Sequence, residues 1–366
     1  MAPTRVLITG VTGYIGGTLL THLLTTTNAT IKSLNISILT RDDPRADTFR
    51  SDSCITHVYT IGDLDDSKRT SFAASQNDIV ISCVLGYHAS SAKAMIEGLA
   101  QRKAAKPDAD VLFIQTSGTS DLADNLITKS YIETRTFSDA DPEVDLFAYL
   151  KHREALSPYI QRSTTISVIE TGLEMRVPAI VMMPPTIYGL GSGSFNHLTI
   201  QYPMQMRAAM KDGYASYIAD GAGEMGCVHV EDLAALYELV LLDFVSGARK
   251  ALTGERGIVF SASGGYIWRE VAERIGAVGK ELGILESAQA RSCGLQEAAD
   301  KWAGGDAGMT EVGLAGNSRT KADIAVKVLG WTPRRGRDDW EMNFREEFEE
   351  VLRTLGKGYR AYGSSK

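Results

Sequence analysis

The segment RVLITGVTGYIGG, residues 5–17, decides the fold of this chain. An apolar run of strand length ends at Gly10, and Gly13 and Gly16 follow before an apolar segment of helix length. Glycine has no β-carbon, so it allows a tight turn, a close approach of main-chain N–H groups to a ligand, and close packing of a helix on a strand. The helix N-terminus adds a positive partial charge. The segment therefore predicts a strand–turn–helix unit that binds a pyrophosphate.

Short apolar runs alternate with helix-length segments through the first half of the chain. The strand-like runs are residues 5–10, 37–41, 78–86, 111–118 and 179–185. Strands that are apolar on both faces and separated by helices indicate a parallel sheet covered on both sides, which is an α/β fold.

The composition becomes richer in glycine and aromatic residues after about residue 186. We therefore predict a nucleotide-binding domain over residues 1–185, to which an apolar helix at 229–245 returns. A smaller substrate-binding lobe is expected to consist mainly of residues 186–228 and 246–366.

Composition and charge exclude several classes of function. The net charge of −7 gives no electrostatic basis for binding nucleic acid or an anionic membrane. The four cysteines contain no CxxC motif and the six histidines show no metal-ligand spacing, so we expect no metal and a reducing compartment. The apolar runs fall short of the roughly 20 residues that a membrane-spanning helix needs. We expect a cytoplasmic protein whose partner is a small-molecule substrate.

The end of the second predicted strand bears on the choice of dinucleotide. Proteins that bind NAD usually carry an acidic residue there, which accepts hydrogen bonds from the ribose. This chain reads SILTRDD, with Arg41 first and Asp42 and Asp43 after it. Arginine suits a 2′-phosphate, which favours NADP over NAD, although a solvated Arg–Asp turn is the alternative. Asp63 and Leu64 are candidates for contacts to the adenine end, or equally belong to a simple loop.

Further motifs resemble those of the extended short-chain dehydrogenase/reductase family, which includes sugar-nucleotide epimerases, dehydratases and carbonyl reductases. Beyond the glycine segment they are GDL at 62–64, DIVISCVLG at 78–86, TSG at 116–118, PPTIYGLG at 184–191, DGAGEMGCVHVEDLA at 220–234 and LGWTP at 329–333. The resemblance covers nearly the whole chain in the family's order.

The resemblance implies a Rossmann-type doubly wound parallel sheet that binds NAD(P), a smaller C-terminal substrate lobe, hydride transfer at the nicotinamide and a possible homodimer. The cofactor contacts that we expect on this basis are Gly10, Thr12, Gly13, Tyr14, Ile15, Gly16, Arg41, Asp63, Leu64, Cys83, Leu85, Pro184 and Ile187.

The same resemblance implies which groups do the chemistry. In that family a Ser or Thr after the fifth strand polarises the substrate oxygen, and a tyrosine transfers the proton. A lysine one helical turn later lowers the pKa of that tyrosine, because a phenol titrates near pH 10 unless a cation stabilises the phenolate. Thr116 and Ser117 match the Ser/Thr position, with a simple turn as the alternative.

The tyrosine–lysine pair is not present at the expected spacing. Tyr159 is followed four residues later by Ser163, and Tyr149 by Arg153. Ser163 lies 21 residues before Pro184, close to the distance that the resemblance implies for the catalytic helix, so we favour Tyr159.

A second interpretation takes residues 145–156 as the active-site helix, with Tyr149 and Arg153 on one face and Lys151 elsewhere, and Pro158 ends that helix. The third is that Tyr149 and Tyr159 are both partly buried aromatic residues without a catalytic role.

Several functions follow from these alternatives. The first hypothesis is an NADP-dependent oxidoreductase that acts on a carbonyl or alcohol of a small organic substrate. The alternatives are a sugar-nucleotide epimerase or dehydratase, a non-redox isomerase or cyclase on the same fold, and a non-catalytic NADP-binding regulator similar to the NmrA-like sensors.

Overall fold

The computed structural model describes residues 3–355. Its strands are β1 (Arg5–Thr9), β2 (Asn35–Arg41), β3 (His57–Ile61), β4 (Ile79–Ser82), β5 (Leu112–Thr116), β6 (Phe137–Ser138), β7 (Ala179–Met183), β8 (Thr186–Tyr188), β9 (Ser216–Ile218), β10 (Glu224–His229), β11 (Ile258–Phe260), β12 (Gly264–Ile267), β13 (Arg291–Cys293) and β14 (Thr320–Lys321).

Its α-helices are α1 (Tyr14–Thr25), α2 (Ala29–Lys32), α3 (Arg45–Arg50), α4 (Ser67–Ser75), α5 (Ala89–Ala105), α6 (Leu146–Leu156), α7 (Ile160–Met175), α8 (Gln201–Asp212), α9 (Val230–Val245), α10 (Trp268–Glu281), α11 (Leu295–Trp302), α12 (Ala307–Leu314) and α13 (Arg337–Arg353). Short 3₁₀ turns span Thr119–Leu122 and Gly254–Arg256, and a π-helical turn spans Ile324–Val328.

The main sheet is parallel throughout and has the strand order β11-β7-β5-β4-β1-β2-β3. Helices α1 and α9 pack against each other, as do α4, α5 and α7. Right-handed crossovers place these two groups on opposite faces of the sheet. The strand order reverses between β1 and β4, and ligands of such sheets bind in the crevice at the carboxyl ends of the strands there. The predicted α/β doubly wound fold is confirmed.

A second apolar core lies in the C-terminal part of the chain. Helix α13 supplies Trp340, Phe344 and Phe348 at four-residue spacing, so that these rings share one helix face. The Trp340 ring stacks on Tyr266 with 5.4 Å between centroids, and the Phe344 ring stacks on Tyr202 at 5.2 Å. This aromatic packing forms the interior of the predicted lobe.

Parts of the range 246–366 belong to the first core. Residues 246–366 were expected to be mainly lobe, but Ile258–Phe260 pair with β7 as the seventh strand of the main sheet. Trp331 is likewise buried in the first core, and its indole N–H donates to the Asp232 carbonyl at 2.9 Å. A strand of three residues is too short to produce a readable periodicity.

No helix within the described range 3–355 is long and apolar enough to cross a lipid bilayer.

Candidate functional site

The glycine segment forms a tight loop between β1 and α1. Gly10 has φ = 72°, a left-handed conformation that disfavours other residues. A β-carbon on Gly10 would overlap the carbonyl oxygen of Cys83, at the end of β4, and one on Gly16 would overlap the carbonyl oxygen of Gly10. The Gly13 N–H donates to the Gly10 carbonyl at 2.9 Å. The loop is therefore closed and packed in the crevice, which side chains at these positions would prevent.

The first turn of α1 is built to receive an anion. Gly13, the residue that precedes the helix, is extended, and no side chain among residues 3–355 caps it by a hydrogen bond. The N–H groups of the first helical turn have no partner within the helix, and the helix dipole adds positive potential. Ile15 packs against the first core, and the Tyr14 side chain turns away to bond the Gly189 carbonyl. The arrangement fits the pyrophosphate of a dinucleotide.

Arg41 lies exposed at the end of β2, where the sequence placed it. The neighbouring Asp43 is bonded by Arg45, with 2.5 Å between Arg45 Nη2 and Asp43 Oδ2. This hydrogen bond from Arg45 lowers the pKa of Asp43 to about 2. Asp63 accepts the Asp65 N–H at 2.9 Å in the adjacent turn. Arg45 therefore bonds the carboxylate of Asp43, whereas Arg41 is exposed at the end of β2.

The other residues predicted to contact the cofactor follow β1, β3, β4 or β7, or lie in β8. Cys83 and Leu85 are partly exposed after β4, and burial of the thiol raises the pKa of Cys83 to about 12, so this thiol stays protonated. The Pro184 carbonyl accepts the Thr119 N–H at 2.9 Å, and Ile187 is buried in β8. Thr12 and Leu64 are partly exposed.

Thr116 and Ser117 have different surroundings although they are adjacent. Thr116 is buried, and its hydroxyl lies 2.6 Å from the hydroxyl of Tyr237 and 3.5 Å from Cys83 Sγ. Ser117 is partly exposed and contacts Asp121 and Thr165, at 3.0 and 2.8 Å respectively. Ser117 is therefore the better placed of the two to meet a substrate.

Asp121 connects Ser117 to the start of α7. Its carboxylate accepts hydrogen bonds from Thr165 Oγ1 at 2.7 Å and from Gln161 Nε2 at 3.0 Å, in addition to Ser117 Oγ. Sequence analysis did not identify Asp121, Gln161, Thr165 or Tyr237. The one local signal is the spacing in TSGTSD, where an acid follows the hydroxyls within a turn.

Tyr159 immediately precedes α7 and is partly exposed. Its hydroxyl lies 3.2 Å from Ser120 Oγ, to which Gln161 Nε2 donates at 2.9 Å. Ser163, at the position where a lysine was expected, donates to the Glu154 carboxylate. Ser120 and Gln161 thus link Tyr159 to the turn that follows Ser117. Residue 163 is a serine and gives Tyr159 no lysine partner.

Arg162 lies near the Tyr159 ring but hydrogen-bonds other groups. Arg162 is fully buried, and its Nε donates to the main-chain carbonyl of Asp121 at 2.7 Å. Its guanidinium carbon lies 5.6 Å from the centre of the Tyr159 ring. Burial lowers the pKa of Arg162.

Tyr149 and Lys151, both on α6, differ from each other in exposure and in their contacts. Tyr149 is buried on α6, donates to Glu133 at 3.1 Å and accepts from Arg153 at 3.2 Å. Burial raises the pKa of Tyr149. Lys151 is exposed, with Nζ 4.4 Å from the centre of the Phe147 ring. None of these contacts is shared with Ser117.

Within residues 3–355, no group of three histidine, cysteine or acidic side chains is placed to hold a metal ion.

Comparisons with known proteins agree with this architecture. No family model matches the chain. Oxidase ucsJ from an Acremonium species is 24% identical over 341 residues, which are 90% of this chain and 92% of that protein. Among solved structures, DesIV, a dTDP-glucose 4,6-dehydratase from Streptomyces venezuelae with NAD and TYD bound, has a TM-score of 0.63 at 14% identity, covering 95% of this chain and 97% of its own.

A second solved structure is UDP-glucuronic acid 4-epimerase from Bacillus cereus, in complex with UDP-glucuronic acid and NAD. It has a TM-score of 0.61 at 11% identity and covers 96% of this chain and 99% of its own. These structures extend over both cores, so the chain has the fold of the extended short-chain dehydrogenase/reductases, as the sequence resemblance implied.

Proposed function

We propose that the protein binds a nicotinamide dinucleotide and acts as an oxidoreductase on a carbonyl or alcohol group of a small organic substrate. The observation that carries this proposal is the closed glycine loop at the switch point of the sheet, with the partly exposed Ser117 at the end of β5. The loop and the first turn of α1 would hold the phosphates. When bound, the dinucleotide supplies or takes up a hydride.

Arg41 supports NADP as the dinucleotide, because a guanidinium can bond a 2′-phosphate through two N–H groups. The NAD found in the two structural neighbours supports NAD instead. We retain NADP as the proposal, since Asp43, the nearby acid, is already bonded by Arg45. The name of the Acremonium relative supports redox chemistry.

Ser117 would contact the reacting oxygen, and Tyr159 remains the sequence-based candidate for the proton-transferring group. The second candidate function, a non-catalytic regulator that binds NADP, is favoured by Ser163, which occupies the lysine position and is bonded by Glu154. An epimerase or dehydratase of sugar nucleotides has the support of the fold neighbours alone.

Two measurements on the purified full-length chain test the proposal. NADPH and NADH are titrated by the change in their fluorescence, and NADPH oxidation is then followed with 4-nitrobenzaldehyde and a panel of aliphatic ketones. We expect binding of NADPH and slow turnover of at least one carbonyl, with a loss of at least ten-fold in Ser117→Ala. Binding without turnover of any carbonyl would favour the regulator, and failure to bind either dinucleotide would contradict both functions.

A further inference from the structure

Asp121 is a buried carboxylate in direct contact with the serine of the proposed site. It is fully buried in the turn that follows β5. Its Oδ2 accepts from Ser117 and Thr165, and its Oδ1 accepts from Gln161. A carboxylate buried at such a position is either a structural anchor or a reservoir for a proton.

The three oxygens of Ser117, Thr165 and Asp121 form a triangle with sides of 2.8, 2.7 and 3.0 Å. Each hydroxyl carries a single proton. While Asp121 is ionised, the hydroxyls of Ser117 and Thr165 both donate their protons to its carboxylate. The lone pairs of Ser117 Oγ that point out of the triangle can then accept a proton from a substrate. Once Asp121 is protonated it becomes a donor to this triangle, and Ser117 is free to donate outward. The protonation state of Asp121 thus sets the direction in which Ser117 can act.

Access is limited to one corner of the triangle. Thr165 and Asp121 are fully buried, while Ser117 is partly exposed. A substrate oxygen can therefore exchange a proton with Asp121 through Ser117, and not by direct contact.

Among residues 3–355, no basic side chain forms an ion pair with the Asp121 carboxylate. Arg162 of α7 faces it but donates to its main-chain carbonyl, and the other end of that guanidinium bonds the Ser157 carbonyl at 3.0 Å and Glu154 at 3.4 Å. Arg153 of α6 is the remaining charged neighbour of Arg162. Burial raises the pKa of Asp121 to about 6, against the opposing hydrogen bonds from Thr165 and Gln161 and the charge of Arg162.

We propose that Ser117, Thr165 and Asp121 form a proton relay that takes the place of the absent tyrosine–lysine pair. The proposal rests on the proposed function. In alcohol oxidation the substrate O–H bond breaks and its proton bonds to Ser117 Oγ. The Ser117 proton passes to Asp121 Oδ2, directly or through Thr165. The electron pair left on the substrate oxygen would form the C=O bond as the hydride leaves the carbon for the oxidised nicotinamide dinucleotide of the proposed function, which would be reduced. Carbonyl reduction is the reverse.

Asp121 is a positioning and proton-storing residue, since it acts through Ser117.

A first test needs neither cofactor nor substrate. Infrared difference spectra of the cofactor-free protein are recorded from pH 4 to pH 8 for the wild type, Asp121→Asn and Thr165→Val. Burial raises the pKa of both Asp121 and Asp139 to about 6, so we expect two carboxyl groups to titrate there. The Asp121 contribution should be lost in Asp121→Asn and should titrate at higher pH in Thr165→Val, because the carboxylate loses a donor.

The second test is the pH profile of NADPH-dependent reduction of 4-nitrobenzaldehyde. Reduction requires the protonated relay, so kcat/KM should fall as the pH rises through the pKa of Asp121. We expect Asp121→Asn to lose at least ten-fold in kcat/KM together with this pH dependence. Tyr159→Phe should keep the pH dependence of kcat/KM whether or not its rate falls. If circular dichroism shows that Asp121→Asn does not fold, Thr165→Val tests the relay instead. The relay predicts that the fall of kcat/KM occurs at higher pH in Thr165→Val than in the wild type.

Different negative results would contradict the relay and the proposed function. The relay is wrong if no carboxyl band disappears in Asp121→Asn, or if Tyr159→Phe removes the pH dependence while Asp121→Asn keeps it. Failure of the wild type to bind NADPH, or to reduce any carbonyl while it binds NADPH, contradicts the proposed function instead. The infrared titration would then still decide whether Asp121 stores a proton near neutral pH.

Discussion

Tyr14 donates its phenolic hydroxyl to the main-chain carbonyl of Gly189, with 2.5 Å between the two oxygens. Tyr14 opens the helix of the phosphate loop, and Gly189 follows β8, where the chain enters the C-terminal part. The N–H of the same glycine is bonded from the other side by Asn343 at 2.8 Å and Glu347 at 3.2 Å, both on α13. The phosphate loop and the C-terminal helix are therefore linked through one residue, Gly189, by buried polar groups.

Glu347 should make the stability of the protein depend on pH. It is fully buried, its Oε2 has no hydrogen-bond partner among residues 3–355, and burial raises its pKa to about 8. The pKa of Glu347 in the folded state is above its value in the unfolded state. The contribution of Glu347 to the free energy of unfolding is therefore fully present below about pH 4.5 and is lost as the pH rises toward 8. Glu347→Gln should unfold less readily than the wild type at pH 8, and the advantage should grow by up to about 1.4 kcal/mol per pH unit across this window.

Urea unfolding followed by circular dichroism from pH 5 to pH 9 measures this effect. Glu346→Gln is the matched control, since Glu346 is exposed on the same helix. A constant difference between Glu347→Gln and the wild type over this range would show that Glu347 does not titrate as proposed.

Gly16→Ala should weaken dinucleotide binding. The new β-carbon would overlap the Gly10 carbonyl oxygen, so α1 must move away from the loop whose N–H groups would face the phosphates of a bound dinucleotide. We expect the NADPH affinity to fall at least about ten-fold, which is 1.4 kcal/mol. Gly294→Ala is the control, because a β-carbon there meets no atom of residues 3–355 within 4 Å. Equal NADPH affinities of the two variants in fluorescence titration would place the phosphates elsewhere.

Arg41→Ala tests the choice of dinucleotide. A charge-assisted hydrogen bond contributes about 1.5 to 3 kcal/mol, so the NADPH affinity should fall by roughly ten- to a hundred-fold while the NADH affinity stays unchanged. Arg69→Ala serves as the control for the loss of one exposed positive charge. If the wild type binds NADH as tightly as NADPH, NAD is the better assignment and Arg41 is a solvated side chain.

The phosphate loop could be predicted from sequence because its contacts are local. Gly10, Gly13 and Gly16 touch one another within seven residues, and the flanking strand and helix are adjacent in the chain. The helix that the second interpretation ends at Pro158 is α6, which ends at Leu156, two residues before the proline.

The site at the end of β5 could not be predicted in the same way. Thr165 lies 44 residues beyond Asp121, and Tyr237 lies 121 residues beyond Thr116. Such pairs meet only after the sheet has formed, and no periodicity of the sequence records them. Burial is also a property of the fold, so the difference between the buried Tyr149 and the partly exposed Tyr159 was not readable from two similar segments.

The two tyrosines should respond differently to the loss of their hydroxyls. Tyr149→Phe leaves the buried Glu133 and Arg153 each with one hydrogen bond fewer, so we expect a loss of about 1 to 3 kcal/mol in the free energy of unfolding. Tyr159 is partly exposed, so removal of its hydroxyl should change the free energy of unfolding by less than about 0.5 kcal/mol. Urea unfolding of both variants, with NADPH titration as a check on the cofactor site, measures the contrast. A larger loss of stability in Tyr159→Phe than in Tyr149→Phe would reverse this assignment, and would make the hydroxyl contact between Tyr159 and Ser120 a structural one.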